Sequence, residues 1–324
     1  MKSTMQEFFQ KYPKIKYLYF GGKGGVGKTV VACATALWCA KQGKKTLLAS
    51  TNPVHSLTTL LEQDVFGKET LVNGTDSLYA LEIDTKETIE RSKKEIEEKI
   101  SWFLKFADIP VKADDFIETA TMNPAFEESA MFENMTNIIF EDKYDLYVFD
   151  TAPTANARRL LGMSKVYTLW VDKMLKSRQE ADEMRIKLSF KKKTKEEKDP
   201  LLEYLTQFRG RIEKMRDLLT DEQLSAFFFV TLLESLPIAV IRRFIGWFKD
   251  FGIPIGGVII NEVIEKSEIS DDTAEFILNR IKMQDRYKDE VYKSFSNVCG
   301  EIPLFEREVR GVDMVKRVSE KLFP

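Results

Sequence analysis

The stretch Phe20–Thr29 reads F-G-G-K-G-G-V-G-K-T. From Gly22 to Thr29 it fits G-x-x-x-x-G-K-[ST], a phosphate-binding loop. Glycines let consecutive backbone N–H groups turn inward around a phosphate, which a Cβ would obstruct. In this motif the lysine, Lys28, reaches the terminal phosphates, and the hydroxyl of Thr29 ligates Mg2+. The positive end of the following helix adds to the site. The flanks agree. Lys16–Phe20 (K-Y-L-Y-F) reads as a buried strand and Val30–Lys41 as a helix. Strand, loop and helix in that order separate the motif from a chance match.

Lys23 places a second lysine inside the loop, the deviant form K-G-G-V-G-K-T. A solvated surface lysine is the bland reading. A charge beside the phosphates is the stronger one. A lysine of this kind typically reaches across a dimer to the partner's nucleotide. The chain has one such loop, so that role needs a homodimer.

Composition sets bounds. The 324 residues allow one large α/β domain or a core with a sizeable insertion, and 44% apolar residues suffice for a packed core. A net charge of −2 gives no bulk attraction to nucleic acid. Cys33, Cys39 and Cys299 form neither a C-x-x-C nor a disulfide framework. No apolar h-region opens the chain, so no signal peptide is expected. Phe227–Phe248 is the most apolar long stretch. Glu234, Pro237, Arg242 and Arg243 interrupt it, so it does not span a membrane. The expectation is a soluble cytoplasmic protein.

Taken in order, residues 1–15 read as a polar lead-in, and Lys44–Ser50 as the second strand. The polar turn Thr51–Ser56 follows at a strand's carboxyl end, where α/β proteins place ligands. It holds His55, the chain's only histidine, taken as structural. Leu78–Asp84 reads as a strand and Lys86–Lys105 as a charged helix. Met122, Met131 and Met135 with nearby phenylalanines read as core in preference to an adaptable apolar groove. Asp145–Asp150 (D-L-Y-V-F-D) is an apolar strand ending in an acid, so Asp150 is expected to hold Mg2+. Met174–Leu188 and Leu201–Leu219 read as amphipathic helices around the solvated run Phe190–Asp199. Ala226–Leu233 and Ile255–Asn261 read as strands. Pro237–Phe251, residues 272–296 and Asp313–Leu322 read as helices, with Ile302–Phe305 leading into the last. The alternation predicts an α/β, mostly parallel, doubly wound sheet.

Several ordered segments together resemble the arsenical-pump ATPase and tail-anchored-protein-targeting ATPase family, over residues 15–322. They are Phe20–Thr29, L-L-A-S-T-N-P-V-H-S at Leu47–Ser56, A-L-E-I-D at Ala80–Asp84 and D-T-A-P-T at Asp150–Thr154. G-G-V-I-I-N at Gly256–Asn261 and P-L-F-E-R-E-V-R-G at Pro303–Gly311 complete the set. The resemblance implies a single P-loop NTPase domain over residues 1–324 with an inserted α-helical subdomain from segments 86–140 and 165–222. Gly24, Gly25, Val26, Gly27, Lys28, Thr29 and Val30 would bind nucleotide, with Thr29 and Asp150 on the metal. Lys23 would act across the homodimer. Residues 51–57 would form a first switch, and Asp150–Thr154 would open a second. Asn261 would contact adenine, beside the loop Pro303–Glu306 that includes Phe305. Glu234 matches an acid that approaches the partner's nucleotide. ATP and Mg2+ are the implied cofactors.

The chain departs from that family at four places. The first switch has Asn52-Pro53-Val54-His55 where the family has D-P-A-H. The family aspartate orients the attacking water. Its replacement by Asn52, a catalytic position, predicts ATP binding with slow or no hydrolysis. Ala274 and Ile277 stand where targeting members carry a zinc-binding C-x-x-C, so no zinc is expected. The pump members' arsenite-binding cysteines are missing. Ala155-Asn156 replace the Gly-His after D-T-A-P-T. The implied function is ATP-gated capture of hydrophobic tail-anchor helices by a cytoplasmic homodimer that visits the membrane transiently and meets a receptor there. The alternatives are the ATPase subunit of a metalloid pump and a non-hydrolysing ATP-gated adaptor.

Overall fold

Along β1 (Tyr17–Gly21) alternate side chains enter two different cores. Leu18 and Phe20 join one, Tyr17 and Tyr19 the other. Successive residues of a strand face opposite ways, so a strand covered on both faces must be apolar throughout. This explains the unbroken apolar runs at the other central strands. The computed structural model describes residues 4–51, 56–106, 124–150, 172–173, 176, 200–266 and 274–324; within its helices the side chains at 96, 99–106, 124–129, 200–205 and 208 stand outside the description.

The remaining strands are β2 (Thr46–Ser50), β3 (Thr70–Leu71), β4 (Leu78–Glu82), β5 (Leu146–Asp150), β6 (Ser225–Thr231), β7 (Ile255–Val263) and β8 (Val298–Pro303). They form one sheet in the order β3-β4-β2-β5-β1-β6-β7-β8. All neighbours are parallel except the antiparallel edge pair β3–β4. The chain runs from β1 out to β4, returns to β5, then crosses β1 to build the other half. That reversal puts a ligand crevice at the carboxyl ends of β1 and β5.

Helices cover both faces, as the alternation predicts. One face is packed by α1 (Met5–Lys11), α2 (Lys28–Lys41), α3 (Ser56–Leu61) and, late in the chain, α9 (Gly311–Leu322). The helices α4 (Thr85–Phe106) and α5 (Pro124–Glu141) follow β4, and α6 (Pro200–Thr220) precedes β6. Next come α7 (Ser235–Asp250) and α8 (Glu275–Ser294). The second core joins Met135 and Ile139 of α5, Leu219 of α6, Ile241 of α7 and Val291 of α8 to the sheet. Met135 is thus core, as read from sequence, and Met131 packs partly against it. Met122, most of Met174–Leu188 and the run Phe190–Asp199 fall outside the described residues. Pro237 lies in the first turn of α7, where its missing N–H breaks no helix bond, so the helix begins at Ser235. A strand, β8, replaces the shorter apolar run expected at Ile302–Phe305.

Residues 4–11 correct the sequence reading. They are no polar lead-in but a capped helix. Glu7 N donates to Thr4 Oγ1 at 3.1 Å, and Thr4 N donates to Glu7 Oε2 at 2.9 Å, a reciprocal capping box. Met5, Phe8 and Phe9 are buried at i, i+3 and i+4. Phe8 meets Phe228 of β6 edge-on at 4.9 Å, and Phe9 lies 5.0 Å from Trp38 of α2. We expect Phe8→Ala to cost about 3 kcal/mol in urea unfolding, where a detached lead-in would leave the midpoint unchanged.

Candidate nucleotide site

Strand register brings the polar groups of the site to one level. Phe20 pairs with Asp150, Asp150 with Ser50, and Ser50 with Glu82. Each of these strands ends there, so the apolar pattern gives way to acids and hydroxyls at a common carboxyl edge. Asp150 is 1% exposed. Thr29 Oγ1 donates to its Oδ2 at 2.6 Å, and Ser50 Oγ donates to the same oxygen at 3.2 Å. Burial pushes the Asp150 pKa up, and the Thr29 hydrogen bond, Lys28 and Ser50 pull against it.

The loop Gly22–Thr29 closes over this level. Gly27 has φ 87° and forms the left-handed cap of α2, with no side chain capping the helix. The amides of the first turn are therefore free for an anion. A Cβ on Gly27 would run into the amide of Asn261. A Cβ on Gly22 would run into the carbonyl of Val230 on β6. Lys28 is buried, and its Nζ donates to the Lys23 carbonyl at 3.2 Å. Burial lowers its pKa, opposed by Asp150. Val30 packs partly on the first core.

Asn261, on β7, is buried, and its Nδ2 donates to the Val26 carbonyl at 3.1 Å. The residue expected at adenine thus holds the phosphate loop. The loop after β8 lies alongside, since Leu304 N donates to Val263 O at 2.9 Å. Pro303 lines a cavity of 690 Å³ with Leu233, Val263 and Gln284. Phe305 packs against the first core, with the Arg317 guanidinium 5.1 Å over its ring. Arg317 also hydrogen-bonds Glu306 at 2.6 Å, which holds the Glu306 carboxyl down at about 2. Glu234 caps the start of α7 in sequence, but its carboxylate accepts from Arg280 of α8 at 2.6 Å. Among the described residues Lys23 Nζ has no acidic partner within salt-bridge range. Asn52, with Pro53, Val54 and His55, lies outside the described residues, as do Thr151–Asn156.

Two groups escaped the sequence reading. Ser50 ended the second strand, but nothing in the sequence aims its hydroxyl at Asp150. Glu82, 1% exposed at the end of β4, accepts from Leu57 N at 3.1 Å and Thr58 N at 3.4 Å. It fastens the first turns of α3. A strand-end acid like Asp150 was the available signal.

The oxygens of Thr29 and Asp150 converge at one buried point. A hydroxyl and a carboxylate, both hard oxygen donors, suit Mg2+. The cysteines offer no soft alternative. All three are buried, and burial pushes the Cys33 and Cys299 thiols up to about 12. Among the described residues no cluster of three His, Cys, Asp or Glu side chains could hold a metal. No described helix is long and apolar enough to cross a membrane.

A parallel sheet with a glycine loop, a buried lysine and a threonine–aspartate pair at its carboxyl edge defines a P-loop NTPase. The anion-transporting ATPase family matches residues 15–324, and the chain belongs to that family of ATPases. It is 31% identical to ATPase ASNA1 homolog 2 of Paramecium tetraurelia, covering 99% of this chain and 97% of that protein. It is 28% identical to ATPase GET3A of Arabidopsis thaliana, over 99% and 87% of the two chains. A relative in Aquifex aeolicus that carries the name of an arsenical pump-driving ATPase is 30% identical over 95% and 99%.

The raised pKa of Asp150 sets a pH dependence. Between its ordinary value and the raised one, the folded chain binds a proton that the unfolded chain has released. Asp150 therefore contributes less stability as pH rises through that interval. The urea midpoint of nucleotide-free Asp150→Asn should gain on the wild type from pH 4 to pH 7.

Proposed function

We propose that the chain is an ATP-gated homodimeric carrier that captures the hydrophobic transmembrane helices of tail-anchored proteins. The observation that carries this reading is the phosphate loop itself. It has two lysines, one buried on the loop and the other, Lys23, without an acidic partner among the described residues. A cation at that place in the loop is suited to a second nucleotide brought up by a second copy. Similarity along 99% of the chain to ATPase GET3A and an ASNA1 homolog supports the cargo class.

In this reading the amides of Gly24–Thr29 and the α2 N-terminus bind the phosphates, with Lys28 on the terminal ones. Thr29 and Asp150 hold Mg2+, which neutralises phosphate charge when bound. Asn261 and the Pro303–Phe305 loop border the base. Glu234 faces the partner's nucleotide. Segments 86–140 and 165–222 form a helical subdomain, and two such subdomains make the cargo groove. The carrier works in the cytoplasm and delivers to a membrane receptor. No zinc joins the two copies, because Ala274 and Ile277 offer no thiolates.

Asn52 keeps the shape of an aspartate and lacks its charge, so it orients water without polarising it. ATP then closes the dimer with little turnover. Asn52→Asp should raise phosphate release by about 10²–10⁴-fold, the usual worth of a placed general base. An unchanged rate would favour a non-hydrolysing adaptor.

Capture is tested by co-expression with a model tail-anchored protein and purification in ATP and Mg2+. Cargo should stay with the wild type and be lost from Lys28→Ala. Equal retention, or none, would overturn the carrier reading. The Aquifex relative's name keeps a metalloid pump subunit as the second reading. Arsenite stimulation of the Asn52→Asp ATPase would support it, against three buried thiols held in their protonated form.

A further inference from the structure

The end of β7 is irregular where it meets the nucleotide site. Its pairing with β8 shifts register between Ile260 and Val263. Inside that shift Glu262 adopts φ 58°, a left-handed conformation that a residue with a long side chain rarely takes. The turn has a consequence one residue earlier. It leaves Asn261 buried with its amide on the Val26 carbonyl of the phosphate loop, 3.1 Å away.

Such a conformation persists only where surroundings hold it. The holder is Gln284, in the middle of α8 and 9% exposed. Its Nε2 donates to Glu262 O at 2.9 Å, and its Oε1 accepts from Ile264 N at 2.9 Å. One amide thus takes a backbone acceptor and a backbone donor on either side of Val263. These two bonds replace the ladder that the register shift removes. One turn earlier on α8, Arg280 binds Glu234 at 2.6 Å, which fixes the helix against the start of α7 as well.

We propose that Gln284 is a positioning residue for nucleotide binding: its amide holds the left-handed turn at Glu262 that aims Asn261 at the phosphate loop. Gln284 touches neither the loop nor a phosphate. It acts through Glu262, Asn261 and Val26 in turn. The proposal rests on the nucleotide-binding reading of Gly22–Thr29 for its consequence, but its geometry is independent of any ligand.

The test uses the full chain and two measurements. Hydrogen exchange without nucleotide reads the amides of Val26–Thr29, and calorimetry with ATP and Mg2+ reads affinity. In Gln284→Leu the loop amides should exchange faster. ATP should bind about tenfold more weakly, the scale of one buried backbone group left without its partner. Adding Glu262→Gly should restore both, because glycine enters the left-handed region without a Cβ penalty. General loosening of the fold would not be rescued this way. If Gln284→Leu does not fold, Gln284→Glu serves, since it keeps the size of the side chain and sets an acceptor in place of the donor to Glu262 O. Wild-type exchange in a folded variant, or no rescue by glycine, overturns the proposal. If the wild type itself binds no ATP, the nucleotide reading fails, while the exchange comparison still decides whether Gln284 positions the loop.

Discussion

The buried carboxylate of Asp150 is the constraint that the site depends on. Burying a charge costs several kcal/mol unless partners surround it. Here two hydroxyls donate to one oxygen, and Lys28 supplies opposite charge nearby. Thr29 comes from α2, Ser50 from β2 and Asp150 from β5, so three elements must be in place at once. Parallel pairing of β5 with both β1 and β2 fixes their level. A slip of one residue would turn the Asp150 side chain to the other face of the sheet. The unbroken apolar packing on both faces of β1 and β5 makes that slip costly. Core packing thereby sets the geometry of the acid.

How much of this was legible follows from the range of each interaction. Phe20–Thr29 was readable because every residue that matters lies within one turn of chain. Asp150 was readable because an acid ending an apolar run is a local pattern. Doubly wound topology followed from alternating strands and helices. The helix α1 was missed because it is short and mixed with charges. Its three buried residues show a helical period only over a single turn. Its stability comes from Phe228, Trp38 and Phe323, distant in sequence. The edge strand β3 has two residues, too few for any period. Ser50 and Gln284 have no local signature for their roles. Their partners are set by strand register and by the packing of α8, which no motif records.

The loop is shaped by its neighbours as much as by its own glycines. Gly22 lies too close to Val230 for a Cβ, and Gly27 too close to Asn261. Both contacts come from the half of the sheet beyond β1, built last in sequence. The phosphate loop therefore sits between two halves, with Asp150 on one side and β6 and β7 on the other. A change in either half reaches the same eight residues. This is the arrangement expected of a site whose occupancy must be felt elsewhere in the molecule.

The connection between β2 and α3 is bracketed in the same way. At one end Thr51 N donates to Asp150 O at 3.1 Å. At the other, Leu57 N and Thr58 N donate to Glu82. Both anchors are strand-end acids at the common carboxyl edge. Residues 52–55, between these two anchors in sequence, lie outside the described residues. The Glu82 charge raises the Asp150 pKa, so the two strand-end acids are coupled through the site as well as through the register of the sheet.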